Sequence, residues 1–275
     1  RTAHGRIHLP VARRSNARLR WPFPARQPGG GPQAAAPPQA VARLRAALDE
    51  GLRVDVVGVT GPGDPLADPG PTLTAFELVR ELLPEVRLCL ATNGLNLTRA
   101  VAAELNALGL DHVTLLMHAA DPAVIREVYA WIRPGTRTLP PDEAAHMLAA
   151  AQAEALDVCA AVGLAVKVNA TVYPGVNDAD LLDVAETAAH KGARCMALSP
   201  YAPQGLDGEP PAPSPGLMQA LMASLGGHLE MLEPVERCGQ DLVGTEPADG
   251  TAGPGGCDSA DPGLPKPTPQ RPNLA

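Results

Sequence analysis

The chain has 275 residues, which fits one large domain or two small ones. Because 45% of the residues are hydrophobic but only 3% are aromatic, a core would be built from Leu, Val and Ala. Its 22 basic and 30 acidic residues give a net charge of −8, which excludes a strongly basic nucleic-acid-binding protein. The absence of any apolar run of about 18 residues excludes a membrane-spanning helix, and five scattered cysteines argue against a secreted disulfide-bonded fold, so we expect a soluble cytoplasmic protein.

Strand and helix patterns alternate along most of the chain. Continuous apolar or β-branched runs predict strands, and apolar residues at helical spacing predict helices. In chain order the prediction is strand 6–11, helix 39–50, strand 54–59, helix 73–83, strand 87–91, helix 98–108, strand 112–117, helix 142–162, strand 164–172, helix 180–191 and strand 194–198. Thr98 is predicted to cap its helix, and Gly163 to end the long one.

Two segments rich in Pro and Gly lack apolar periodicity. Residues 22–38 are predicted to form a low-complexity loop inside a domain spanning residues 1–244, and residues 245–275 a disordered tail.

Six strands separated by helices predict parallel pairing through right-handed crossovers. A doubly wound sheet and an α/β barrel both satisfy this order. Unusual residues follow five of the strands, namely the 61–65 loop, Thr92 with Asn93, His118, Asn169, and Ser199. Barrel enzymes place their sites at these converging strand ends, so the pattern favours a barrel with a site at its mouth.

Several segments carry a resemblance to a known family. Residues 58–66 read GVTGPGDPL, residues 88–95 LCLATNGL, residues 166–169 VKVN and residues 174–178 PGVND, with matching segments at 6–11, 111–114 and 237–238. In this combination the chain resembles the NifB family of radical S-adenosylmethionine (SAM) enzymes of nitrogenase cofactor assembly, over about residues 4–244.

The resemblance implies a partial (βα)6 barrel of the radical-SAM type, SAM and a [4Fe–4S] cluster as cofactors, and nitrogenase-assembly proteins as partners. It implies that the glycine-rich loop holds the methionyl end of SAM, since glycine lets backbone groups approach a ligand closely. The SAM-binding residues expected from it are Gly61, Pro62, Gly63, Asp64, Thr92, Asn93 and Asn169. For Asp64, accepting a hydrogen bond from the SAM amino group and capping the turn remain equal alternatives.

The family's cluster motif is replaced in this chain. The family carries CxxxCxxC directly after the first strand, and here the three cysteine positions are Ser15, Leu19 and Pro22. Iron–sulfur clusters need thiolate ligands, and neither Leu nor Pro has a side-chain ligand atom. Whether the chain is an active enzyme therefore stays open.

Three ligand candidates remain for the additional clusters that the family fuses. They are His8 on the first strand, Cys89 on the third, and Cys238, the second position of a C-terminal CxxC pair whose first position is Val235. Each of His8 and Cys89 has a plain alternative as a buried structural residue. Lys167 lies within an apolar strand, where we expect it to reach a carboxylate or the site.

Three interpretations follow. The chain is a NifB-type protein of iron–sulfur cofactor biosynthesis with impaired catalysis, a non-catalytic scaffold that binds SAM or a partner, or a decayed or frameshifted reading across residues 11–38.

Overall fold

The computed structural model describes residues 5–21 and 33–232. The described elements, in chain order, are β1 (Arg6–His8), β2 (Ala17–Leu19), α1 (Pro37–Asp49), β3 (Val56–Val59), α2 (Pro69–Leu82), β4 (Arg87–Thr92), α3 (Arg99–Ala107), β5 (Leu110–Leu116), α4 (Pro122–Val128), β6 (Tyr129–Ile132), α5 (Pro141–Val162), β7 (Ala165–Val172), α6 (Leu181–His190), β8 (Cys195–Pro200), α7 (Pro215–Leu225) and β9 (Glu230–Leu232).

The order of the strands selects the barrel over the doubly wound sheet. The main sheet has the order β1-β3-β4-β5-β7-β8-β9, and all six of its pairings are parallel. A doubly wound sheet reverses its direction at a switch point, whereas this sheet advances in one direction throughout. Right-handed crossovers then put the helices on one face, as in an α/β barrel. The predicted partial barrel is confirmed, with β9 as a seventh strand beyond the six that were predicted.

The two faces of the sheet differ in burial. Along each strand, every second side chain points toward the helices. These side chains are fully buried in the main hydrophobic core, for example Val57, Leu90 and Val168. The residues between them face the barrel interior, and those of the central strands β5, β7 and β8 are mostly only half-buried. The interior of the barrel is therefore accessible along its central strands.

A second small sheet lies beside the barrel. Strand β2 pairs antiparallel with β6, and helix α4 precedes β6 without a break. A separate hydrophobic cluster forms here around Trp21, Tyr129 and Tyr173. The sequence pattern does not predict β2, α4 and β6, because each is seven residues or shorter and carries too few repeats of a pattern.

Element ends differ from the prediction mainly at proline. Helix α1 begins at Pro37, inside the segment predicted as loop, and α2 begins at Pro69, four residues earlier than predicted. Proline favours the first helical position because its missing N–H would have no partner there. The predicted cap at Thr98 is confirmed, since its side chain accepts a hydrogen bond from Val101 N–H, and Gly163 ends α5 in the left-handed conformation.

Within residues 5–21 and 33–232, no helix combines the length and apolar character needed to cross a bilayer. The predicted tail at 245–275 lies outside the described residues.

Candidate functional site

Asp64 joins the loops that follow β3 and β4. Its buried carboxylate accepts hydrogen bonds from Leu66 N–H (2.8 Å), Thr92 Oγ1 (2.9 and 3.0 Å) and Asn93 N–H (2.8 Å). Burial raises the pKa of Asp64, and these donors oppose that shift. The carboxylate therefore holds two predicted SAM-binding segments together, while a direct role in binding SAM stays a prediction.

Gly63 lies where two loops touch through their backbones. Its N–H donates to Ala12 C=O (2.7 Å), and Asp64 N–H donates to Arg14 C=O (2.8 Å). A Cβ added at Gly63 would lie 2.1 Å from the Arg14 carbonyl oxygen. The glycine is thus required for the approach of the loop after β1, a requirement that sequence analysis did not identify.

Asn93 is the centre of a buried amide network. Its Nδ2 donates to Asn16 Oδ1 (2.6 Å), its Oδ1 accepts from Leu95 N–H (2.9 Å), and its carbonyl accepts from Gln152 Nε2 (3.1 Å). Asn16 Nδ2 and Gln152 Oε1 are buried without a hydrogen-bond partner in the described part of the chain. The network leaves one donor and one acceptor unused near the barrel mouth.

His8 and Cys89 lie on opposite sides of Gly58. Strand register places His8 beside Gly58 and Gly58 beside Cys89. A Cβ added at Gly58 would be 2.5 Å from Cys89 Sγ and 2.6 Å from His8 Cδ2. Burial, and secondarily the charge of Arg6, lowers the pKa of His8 to about 4, and neither ring nitrogen has a hydrogen-bond partner within residues 5–21 and 33–232. The structure brings these two candidate ligands together on either side of Gly58, with the His8 imidazole neutral, and their metal-binding role stays a prediction.

The segment at the predicted cluster positions is held by protein contacts. Ser15 is exposed, and Leu19 is half-buried in β2. Asn16 C=O accepts from Arg133 N–H (2.6 Å), and Arg20 N–H donates to Val128 C=O (2.8 Å). Just beyond, Tyr173 Oη donates to Trp21 C=O (3.0 Å). Pro22, Val235 and Cys238 lie outside the described residues, and within residues 5–21 and 33–232 no three His, Cys, Asp or Glu side chains are grouped as metal ligands.

Asn169 lies in the inner row of β7, where Thr171 follows it in the same row. Asn169 Oδ1 lies 3.3 Å from Ser199 Oγ, which donates to it across to β8. Thr92 ends β4 and Asn93 directly follows it, whereas Asn169 lies three residues before the end of β7. That these residues bind SAM stays a prediction.

His118 and the 174–178 motif form a structural latch after β5 and β7. His118 Nδ1 accepts from Thr171 N–H (3.0 Å), and Asn177 Nδ2 donates to the carbonyls of His118 (2.7 Å) and Thr171 (2.8 Å). Asp180 adds a carboxylate that accepts from Ala120 N–H (2.6 Å). These hydrogen bonds give the 174–178 motif a structural role, whereas its sequence alone shows only a family resemblance.

The buried His118 predicts a loss of stability in acid. Burial lowers the pKa of His118 from 6.5 to about 4, so the unfolded chain binds a proton first as the pH falls. The contribution of neutral His118 to the free energy of unfolding is complete above about pH 6.5 and is lost progressively toward pH 4. The loss between pH 7.5 and pH 5 is about 2 kcal/mol. His118→Asn keeps an acceptor for Thr171 N–H but does not titrate, so urea unfolding should show a weaker acid dependence. The same change at the exposed His146 should leave the wild-type dependence, and identical curves for all three proteins would contradict this assignment.

Some functional candidates gave no sequence signal. Asn16 and Gln152 carry no motif, and only the fold brings them to Asn93 across 77 and 59 positions. Gln152 lies on the buried face of α5, and a polar residue at such a position indicates a buried hydrogen bond.

Sequence comparisons relate the chain to proteins of one superfamily. The profile of the Radical SAM superfamily matches residues 20–188. The FeMo cofactor biosynthesis protein NifB of Chlorobaculum tepidum is 35% identical over 252 residues, covering 89% of this chain and 59% of that protein. NifB of Klebsiella pneumoniae is 32% identical, covering 87% and 53%. The chain therefore spans less than two thirds of the length of these relatives.

Solved structures agree on the fold. SuiB of Streptococcus suis bound to S-adenosylmethionine superposes with a TM-score of 0.62 at 13% identity, covering 84% of this chain and 50% of that one. Methylornithine synthase (PylB) gives a TM-score of 0.57 at 14% identity, covering 85% and 65%. The profile match, the NifB resemblance and the one-directional parallel sheet agree, and the chain belongs to the radical SAM superfamily.

Proposed function

We propose that this chain is a NifB-type protein that binds SAM and serves FeMo cofactor biosynthesis in nitrogen fixation without performing radical chemistry on its own. Similarity to NifB along most of the chain supports the biological setting. The proposed lack of radical chemistry rests on Ser15 and Leu19, which stand at positions where the resembled family has cluster cysteines. The proposal includes a cytoplasmic location and nitrogenase-assembly proteins as partners.

The residues at the barrel mouth fit SAM. The methionyl end of SAM is a zwitterion that needs both donors and acceptors, and the glycine-rich loop supplies backbone groups of both kinds. Asp64 already accepts three kinds of donor from the protein, so we assign it to holding the loops rather than to the ligand. The second N–H of the Asn93 side-chain amide, the side-chain amide of Asn169 and the backbone of residues 61–63 would then hold SAM. When bound, SAM would supply a sulfonium with an activated methyl group.

The residues present do not fit a [4Fe–4S] cluster. Such a cluster is held by thiolates, and no cysteine lies between residues 5 and 21. The backbone bonds of Asn16 and Arg20 to the β6 region tie this segment down through protein groups alone. This ordered packing also favours a genuine coding sequence over a frameshifted reading of residues 11–21, and resequencing of the coding region tests that alternative directly.

Anaerobic reconstitution with iron and sulfide tests the catalytic part. We expect the wild-type protein to hold no [4Fe–4S] cluster by iron counting, and no EPR signal that changes with SAM after dithionite reduction. A variant with Ser15→Cys, Leu19→Cys and Pro22→Cys restores the thiolates and should gain both, while a control with cysteine at Arg13, Arg18 and Arg20 should not. A SAM-sensitive cluster signal in the wild-type protein would overturn the proposal.

Calorimetric titration with SAM tests the binding part. The wild-type protein should bind SAM without added iron, because the assigned groups belong to the protein. No detectable binding at millimolar SAM would remove the SAM-binding function and leave only a partner-binding scaffold.

A further inference from the structure

Lys167 lies on the inner face of the barrel. It is on β7, a central strand, beside Thr114 of β5 and Cys195 of β8. Its neighbours Val166 and Val168 pack into the hydrophobic core under the helices. Because side chains alternate along a strand, Lys167 extends to the opposite side, where it is half-buried in the barrel interior.

Lys167 has no counter-ion in the described part of the chain. Neither the hydrogen bonds nor the ion pairs of residues 5–21 and 33–232 include its ammonium group, whereas Lys191 contacts Asp157 at 2.6 Å. The acidic residue in its strand row, Glu230, is exposed and two strands away, about 10 Å at normal strand spacing. The half-buried ammonium of Lys167 therefore loses hydration, and no group of the described residues replaces it.

The groups around Lys167 are donors rather than carboxylates. Asn169, two residues further along β7, uses its Oδ1 to accept from Ser199 Oγ, and its amide NH2 group has no partner in the described residues. His112 of β5 is kept neutral, because burial and then the charges of Arg6, Lys167 and Arg87 lower its pKa to about 3. A neutral imidazole retains one N–H donor. Lys167 is one of the basic groups whose charge acts on His112.

We propose that the barrel interior around Lys167, Asn169 and His112 is a binding site for a small anion, an oxyanion or a carboxylate. Lys167 supplies the charge, and the amide and imidazole N–H groups supply directed hydrogen bonds. The site extends from Asn169 to Lys167, which lies two residues along β7, about 7 Å further toward the floor of the barrel. It is thus separate from the residues assigned to SAM except at Asn169 itself, and it does not require SAM to bind.

The scarcity of lysine makes the site measurable. The chain has three lysines, Lys167, Lys191 and Lys266, so acetylation by acetic anhydride can be followed at each of them by peptide mass spectrometry. Inorganic phosphate is the probe, compared with chloride at the same ionic strength. Phosphate at ten times its dissociation constant should slow acetylation of Lys167 about tenfold and leave Lys191 and Lys266 unchanged. Equal protection of all three lysines, or none, would overturn the proposal.

Two variants separate the site from general charge effects. Equilibrium dialysis with radiolabelled phosphate should show binding that Lys167→Met abolishes and Lys191→Met retains, with both variants unfolding like the wild-type protein. Retained binding in Lys167→Met would contradict the assignment. If SAM protects Lys167 and phosphate does not, then the SAM carboxylate is the anion, and a separate site is excluded. If calorimetry shows no SAM binding but phosphate still protects Lys167, then the proposed SAM-binding function is removed and the anion site remains.

Discussion

Asp64→Ala should lower the free energy of unfolding by about 4 kcal/mol. The change removes the acceptor of Leu66 N–H, Thr92 Oγ1 and Asn93 N–H in a buried setting. Each buried donor left without a partner costs roughly 1–3 kcal/mol, and alanine also leaves a cavity. The loops after β3 and β4 would lose their common anchor, so SAM binding should weaken as well.

Urea unfolding and calorimetry with SAM measure the two effects. Asp68→Ala is the matched control, because Asp68 is in the same loop but exposed, and its 3.9 Å contact with Arg14 is a surface ion pair worth at most about 1 kcal/mol. Asp64→Asn keeps one acceptor and the side-chain volume, so it should be less destabilising than alanine and remain folded for the SAM titration. Equal stability of Asp64→Ala and Asp68→Ala would show that the network does not hold the loops.

Gly63→Ala should cost about 3 kcal/mol and impair SAM binding in parallel. The added methyl group would lie 2.1 Å from the Arg14 carbonyl oxygen and 2.5 Å from its carbon. These are backbone atoms of the loop after β1, so relief requires moving that loop, and overpacking of this kind costs roughly 1–3 kcal/mol or more.

Gly70→Ala, in the same region, should not destabilise the protein as Gly63→Ala does. Gly70 is exposed in the first turn of α2, and its nearest obstacle is an Asp68 oxygen at 3.9 Å. Alanine there should stabilise the protein slightly, since it reduces the backbone entropy of the unfolded chain. If thermal unfolding responded alike to the two substitutions, the close backbone contact at Gly63 would be disproved.

The central strands and most helices could be predicted because their signals are local. The segment 164–172 carries an apolar residue at every second position from Val166 to Val172, as a strand covered on its helical side should, and β7 occupies residues 165–172 of it. Thr98 and Gly163 marked helix ends by side-chain and backbone preferences that act within a few residues. Short elements such as β2 and β6 exist through their mutual pairing, so their sequences alone carry little signal.

The candidate site could be predicted only in part. The order of parallel strands predicts that their ends meet at one edge. Asn93 directly follows β4 there, whereas Asn169 lies inside β7, and SAM binding by both residues stays a prediction. The partners of Asp64 and Asn93 could not be found that way, because Asn16 lies 77 positions from Asn93. Hydrogen bonds of this kind depend on distances that no local pattern contains.

The sequence by itself determined the strand-and-helix order, the family resemblance, and the loss of thiolates at Ser15, Leu19 and Pro22, because these depend on residue identity and short-range pattern. The tertiary structure alone decided that the sheet winds in one direction and that Asp64 holds two loops together. It also decided that Lys167 faces the barrel interior with no counter-ion among the residues that the structure describes. Those properties arise when strands distant in the chain pair in register, since only pairing fixes which side chains share a face and which polar groups find partners.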